Sequence, residues 1–281
     1  MKNIKYKLFS IDLDGTILSR IFKKPSKKNC LAIQNFMNCG GIIILNSGRA
    51  PWMMEKIIKK INSYGNNKIK YISCWNGAFI QDLSTNLSSS SFFDSQYAYK
   101  ILNILQKSKK IIAWFYLAKK PSLKYIKIYP KFSITRLIKS LGNFSSIKEN
   151  DNLSSMKILI YGHKNTIATI YDKIINADFS KFINVIKSSA RVIEIMPLGI
   201  DKGYAIRQIA LKHNIPIKNV VAIGDSFNDL AAFKNSGFSI CIKHRKNNKL
   251  SQHASITIKY KKNILDYVLN HFIFQDINHE E

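Results

Sequence analysis

The chain repeatedly sets a continuous β-branched apolar run ahead of a helical stretch. "GIIILNSGRA" at 41–50 is the clearest case, and "NVVAIGD" at 219–225 repeats it. An apolar run without polar alternation is the pattern of a strand buried on both faces, which occurs where helices cover a parallel sheet on both sides. Helical patterns follow each run: "PWMMEKIIKKIN" begins with Pro51, well placed in a first helical turn, and a second helix is expected over 226–236. Strands alternating with helices make βαβ units, so a parallel α/β sheet is expected.

Other segments extend the pattern at both ends of the chain. An apolar run covers 4–12, a helix over 27–39 closes at Gly40 and Gly41, and "KYISCWNGAFI" adds a strand with a turn at Asn76 and Gly77. The texture changes at "STNLSSSSFFDS", 84–95, which reads as a linker. Beyond it the pattern gives helices near 96–108, 131–141 and 165–178, with strands near 111–118, 124–129, 156–162, 183–187 and 191–196. Trp114, Phe115, Tyr116, Tyr125 and Tyr129 read more as sheet core in this middle region than as substrate stackers. A helix at 202–213, strands at 219–224 and 238–242, and a last strand and helix within 255–273 complete the chain.

Composition narrows the function classes. At 281 residues with 46% hydrophobic content, the chain can bury a core in one large or two smaller domains. Cys30, Cys39, Cys74 and Cys241 form neither CxxC pairs nor a dense framework, which points to reduced thiols and a cytoplasmic protein. No His pairs with Cys or Glu at zinc-ligand spacing. The basic N-terminus meets Asp12 too soon for a secretory signal, and no apolar stretch is long enough for a membrane span, so a soluble protein without a membrane partner is expected. The net charge of +27 is spread along the chain and carried by Lys in 38 of 44 cases. A dedicated nucleic-acid footprint requires a concentrated patch, so small phosphorylated anions are the expected partners.

Chemistry gathers at the ends of the apolar runs. In "FSIDLDGTIL" (9–18), Asp12 and Asp14 lie two positions apart and share a strand face. By itself this stretch is equally a turn after a solvated strand end and a metal and phosphate site. "IIILNSGR" delivers Ser47 and Arg49, "VVAIGDSFNDL" delivers Asp225, Asn228 and Asp229, and "GIDKG" places Lys202 at a helix start. Ligand sites in parallel sheets lie beyond the carboxyl ends of the strands. Carboxylates from two strands suit Mg²⁺, which takes oxygen ligands and bridges to phosphate, while a hydroxyl and an ammonium suit the remaining phosphate oxygens.

"DLDGT", "NSGR", "DKG" and "GDSFND", in that order, resemble the four motifs of the haloacid dehalogenase superfamily of phosphohydrolases. "CWNGA" and "EIMPLGIDKG" resemble its Cof-type subgroup of sugar-phosphate and cofactor phosphatases. The resemblance implies a Rossmann-like catalytic core at 1–84 and 191–281, with an α/β cap that sets substrate specificity inserted at 85–190. It implies Asp12 as nucleophile, Asp14 as general acid and base, and Lys202 as the group that neutralises phosphate and steadies Asp12. Ser47, Gly48, Arg49 and Asn228 would bind substrate. Mg²⁺ would be held by Asp12, Asp225 and the Asp14 carbonyl, with Asp229 in support. Where the subgroup has an Asn-Ala segment, this chain reads "CIKHRKNNKLSQHA", a departure at 241–254. The expected activity is Mg²⁺-dependent hydrolysis of small phosphorylated metabolites through an aspartyl-phosphate. A phosphomutase of the same superfamily, or a phosphate- or nucleic-acid-binding protein without turnover, are the alternatives; the oligomeric state is not readable.

Overall fold

The computed structural model describes residues 4–18, 24–117, 123–128, 144–148, 151–244 and 249–274. In chain order its strands are β1 (Leu8–Ile11), β2 (Ile42–Asn46), β3 (Tyr71–Cys74), β4 (Phe79–Asp82), β5 (Leu87–Ser90), β6 (Ile111–Leu117), β7 (Leu123–Ile128), β8 (Phe144–Ser146), β9 (Ser155–Gly162), β10 (Ile183–Ser189), β11 (Val192–Pro197), β12 (Val220–Gly224), β13 (Phe238–Lys243) and β14 (Ile256–Lys259). They fall into two compact units, Met1–Ser88 with Lys202–Glu281, and Ser89–Asp201.

The first unit is built on one sheet, ordered β14-β13-β12-β1-β2-β3-β4-β5. From β14 through β3 every pairing is parallel, and β1 sits between β2 and β12 with Leu8 opposite both Ile42 and Val220. Helices cover both faces, as the unbroken apolar runs require. Phe9, Ile11, Leu45 and Ile223 pack with Phe36, Met54 and Leu265 from helices Lys27–Asn38, Pro51–Asn62 and Ile264–Val268. Leu8, Ile44 and Ala222 pack on the opposite face with Ile206 and Phe233, from helices Lys202–Lys212 and Leu230–Lys234. Each fully buried Leu, Ile or Phe contributes roughly 1.5–3 kcal/mol, so these two layers hold the helices firmly against the sheet.

The structure departs from the sequence pattern at two places. The Ser-rich stretch at 84–95 is not a plain linker: it contains β5, an exposed strand at the edge of the first sheet. Backbone pairing to β4 makes this strand, and its side chains bury nothing that an apolar pattern could reveal. Near its end the same stretch carries Asp94, whose carboxylate accepts from the Gln96 amide at 2.8 Å and caps helix Ser95–Gln106. "KYISCWNGAFI" is two strands, β3 and β4, paired antiparallel around a tight turn. Trp75 and Asn76 both take positive φ in that turn, 49° and 55°.

The second unit carries a mainly antiparallel sheet, ordered β10-β11-β9-β6-β7-β8, in which only β7 and β8 run parallel. Because β11 pairs with β9 and β10, this unit reaches Asp201. Ile101 and Leu105 of helix Ser95–Gln106 and Ile167 and Ile170 of helix Lys164–Ile175 pack on Phe115, Ile158 and Ile193. Strand alternation then directs Trp114, Tyr116, Lys157 and Glu194 to the other face, where all four are buried. Phe115 is therefore sheet core as expected, Tyr125 falls in β7, and Tyr129 and the helix expected at 131–141 lie outside the described residues. Strand β8, three residues long, has no counterpart in the apolar pattern of the sequence.

Candidate active site

The carboxyl ends of β1, β2 and β12 are adjacent because these strands are neighbours and run the same way. Asp12 directly follows β1 and its amide donates to the Ile223 carbonyl at 3.0 Å, which ties it to β12. Its carboxylate is buried and paired on both oxygens: Lys202 Nζ donates to Oδ1 at 2.6 Å and Thr16 Oγ1 to Oδ2 at 2.9 Å. Lys202, at the start of its helix, is itself only 1% exposed and also donates to Asp229 Oδ1 at 2.5 Å. Asn46 supports this arrangement from below, with Nδ2 donating to Ser10 Oγ at 3.1 Å and to the Lys202 carbonyl at 2.9 Å.

The loop after β12 is shaped by Asp229. Its Oδ2 accepts from the amides of Asp225 (3.0 Å) and Ser226 (3.1 Å), closing a capping box with Ser226. Asp229 is thus committed to Lys202 and the loop backbone. Gly15 is required opposite this loop: its φ is +83°, and a Cβ there would lie 2.1 Å from Asp225 Oδ2. The turn Asp14–Gly15 therefore packs directly on the Asp225 carboxylate.

Asp12, Asp225 and Asp229 present carboxylate oxygens within 4.8 Å of one another. Three carboxylates face one ammonium. Burial, only partly offset by Lys202 and reinforced by Asp229, pushes the Asp12 carboxyl up to about 7. Burial and the neighbouring Asp12 and Asp229 push Asp225 up to about 8. Burial works to lower the Lys202 ammonium, but the Asp12 and Asp229 charges outweigh it and hold it above its ordinary value. The surplus of buried negative charge in an all-oxygen donor set fits a hard divalent cation such as Mg²⁺, with Asp12 and Asp225 as the carboxylates able to hold it.

Asp14 stands apart from this cluster. Its side chain is 59% exposed and forms a two-point pair with Arg49, Nε to Oδ2 and Nη2 to Oδ1, each at 2.6 Å. Ser47, buried at the end of β2, accepts from the Arg49 amide at 3.2 Å. Asn228 donates to Asn76 Oδ1 at 3.2 Å, and the Asn76 amide donates to the Ser47 carbonyl at 3.0 Å. Ser47, Gly48, Arg49 and Asn228 therefore form a polar rim linked through the β3–β4 turn. Asp12, Lys202 and Asp229 form the buried centre, with Asp225 half-buried beside them.

Three participants were not singled out from sequence. Thr16 and Asn46 sit inside the quoted "DLDGT" and "NSGR", so adjacency to named residues was their signal. His244 lies in the departing segment, and its Nε2 is 2.7 Å from the Gly15 carbonyl and 3.3 Å from Asp225 Oδ2.

The model for haloacid dehalogenase-like hydrolases matches residues 9–268. The chain belongs to that family. A putative phosphatase of Mycoplasma pneumoniae is 27% identical over 246 residues, covering 84% of this chain and 86% of the relative. A 5-amino-6-(5-phospho-D-ribitylamino)uracil phosphatase of Bacillus subtilis is 22% identical over 242 residues, covering 86% and 85%. Among solved structures, the HAD subclass IIB sugar phosphatase BT4131 aligns with TM-score 0.77 over 95% of this chain and 98% of its own, at 13% identity. That likeness establishes the shared fold, a parallel-sheet core carrying an inserted α/β unit. Among the described residues, no helix of this hydrolase is long and apolar enough to cross a membrane.

Proposed function

We propose that this haloacid dehalogenase-like hydrolase is a Mg²⁺-dependent phosphatase of small phosphorylated metabolites, sugar phosphates or phosphorylated cofactors, working through an aspartyl-phosphate. The carrying observation is the buried Asp12–Lys202–Asp229 array beside Asp225, at the carboxyl ends of β1 and β12. The relatives named as phosphatases, one of them acting on a phosphorylated ribityl compound, support the same class.

In this reading Asp12 is the nucleophile. One of its oxygens bonds to phosphorus as the ester P–O bond breaks, and hydrolysis of the resulting acyl phosphate completes two easier steps in place of one. Lys202 holds the Asp12 carboxylate at a fixed angle and offsets the repulsion between two anions. Asp12 and Asp225, with the Asp14 carbonyl, would hold the Mg²⁺. When bound, the cation supplies positive charge to the phosphoryl oxygens and the two carboxylates. Asp14 gives a proton to the leaving oxygen and then takes one from the attacking water. To do so it must exchange Arg49 for substrate, and Arg49 is then available to the anionic group together with Ser47, Gly48 and Asn228. The inserted unit, Ser89–Asp201, is the element proposed to choose among metabolites. The same chemistry without water would describe a mutase, but no residue pattern here favours that alternative.

The test is phosphate release from a panel of sugar phosphates, flavin mononucleotide, pyridoxal phosphate, nucleotides and an aryl phosphate. Chelation with EDTA is expected to abolish turnover and Mg²⁺ to restore it. Asp12→Asn, folded as judged by circular dichroism, is expected to retain less than about a hundredth of wild-type turnover. Full activity in EDTA would remove the metal from the reading. Substantial activity of Asp12→Asn would remove the nucleophile.

A further inference from the structure

Residue 244 follows β13, which lies beside β12 in the parallel sheet, so the chain leaves β13 next to the loop that carries Asp225. There the His244 ring stacks on Tyr260, with centroids 5.2 Å apart and planes inclined by 26°. Stacking fixes the ring plane and points Nε2 at two oxygens: the Gly15 carbonyl at 2.7 Å and Asp225 Oδ2 at 3.3 Å. A carbonyl can only accept, so the proton between His244 and Gly15 is on Nε2. The same N–H lies close to the carboxylate. Gly15 in turn presses on Asp225 so closely that no side chain fits at position 15.

We propose that His244 is a positioning residue that uses one Nε2–H to clamp the Asp14–Gly15 turn against the Asp225 carboxylate, fixing both for a divalent cation. The inference rests on the metal reading given under the proposed function. The geometry accounts for a histidine here. A flexible ammonium would reach the same oxygens without a preferred direction, whereas an imidazole held on an aromatic face offers one donor in one direction. Groups that orient a metal-binding carboxylate typically change metal affinity by about 10–100-fold when removed.

The experiment is calorimetric titration of Mg²⁺ into chelator-treated, full-length protein, with thermal melts of each metal-free variant as the check on folding. His244→Phe keeps a ring on Tyr260 and deletes the donor, and is expected to raise the Mg²⁺ dissociation constant about 10–100-fold. His244→Ala is expected to do the same. His244→Gln returns an N–H donor near the position of Nε2, and recovery to within about threefold of wild type is expected if orientation is the role. Should His244→Phe bind Mg²⁺ as wild type does, ring packing rather than the donor is what matters, and the inference is overturned while the metal reading stands. Should His244→Gln bind as weakly as His244→Phe, the clamp is likewise overturned. A wild type that takes up no Mg²⁺ overturns the metal reading itself and this inference with it.

Discussion

Each unit of the molecule contains a buried lysine paired with a carboxylate, but the sheets around them differ. In the first unit Lys202 is 2.6 Å from Asp12 and 2.5 Å from Asp229, at the common end of parallel strands. In the second, Lys157 is 3.0 Å from Glu194, on the face of an antiparallel sheet between neighbouring strands β9 and β11. Parallel strands deliver their final residues to a single edge, so polar groups from distant parts of the sequence converge there. Antiparallel strands send successive ends to opposite edges, so polar groups meet on a sheet face, as cross-strand neighbours. The first arrangement gathers three carboxylates around one cation. The second gives a balanced pair, with Tyr116 nearby, whose phenol is raised by burial and then by the Glu194 charge. Convergence produces surplus charge at the strand ends, which the cross-strand pair does not.

The sharpest way to break this comparison is to treat both lysines alike. Lys202→Met is expected to lower phosphate release by about 10²–10³-fold, because a preorganised charge at the reacting group is removed. Lys157→Met is expected to act on stability instead. Deleting one partner of a buried pair leaves the other uncompensated, at a cost of about 3–5 kcal/mol, whereas Lys157→Met combined with Glu194→Leu is expected to regain most of it. Denaturant unfolding measures the second effect and steady-state assays the first. If the Lys157 and Glu194 double variant loses turnover on an aryl phosphate as Lys202→Met does, the two pairs are not different in kind.

A smaller effect follows from pH. Asp12 and Asp225 titrate higher in the folded chain than their unfolded value of 3.8, at about 7 and about 8. Between these limits the metal-free folded state binds more protons than the unfolded one, so these two groups make stability fall as pH rises from about 4 to 8. Lys202 is raised and remains protonated throughout that window. His213 is lowered by burial and then by Lys70 and Lys212, and contributes the opposite slope near its unfolded value. Melting temperatures of metal-free protein are therefore expected to decline less with pH in Asp225→Asn than in wild type, and Mg²⁺ is expected to flatten the wild-type decline. Identical slopes in both proteins would mean Asp225 is not a strained carboxylate.

The edge that carries the proposed site was largely legible in the sequence because strand and motif share the same few residues. β1 ends at Ile11 with Asp12 next, β2 ends at Asn46 with Ser47 next, and β12 ends at Gly224 with Asp225 next. An apolar run reports the strand, and the first polar residues after it report the site. The illegible parts are a strand that buries no side chain and pairings between residues far apart in sequence. β5 is held by its backbone alone, and its Ser-rich side chains are exposed. The pairing of Asp14 with Arg49 joins residues 35 apart, and that of His244 with Gly15 joins residues 229 apart. Neither leaves a periodic trace, and the odd wording of 241–254 marked only that something had changed there.

The position of β1 in its sheet has a consequence for how the chain is made. One side of β1 pairs with β2 almost at once, but the other waits for Val220, the partner of Leu8. About two hundred residues, including the whole second unit, must leave the ribosome between them. At about 5–20 residues per second, that interval is roughly 10–40 s. Throughout it, Leu8–Ile11 presents an unpaired apolar strand edge with Asp12 at its tip, a surface that a nascent chain must keep from other strands. Slower translation of the second unit would lengthen that exposure, while the second unit, contiguous from Ser89 to Asp201, can complete its own sheet before the first has closed.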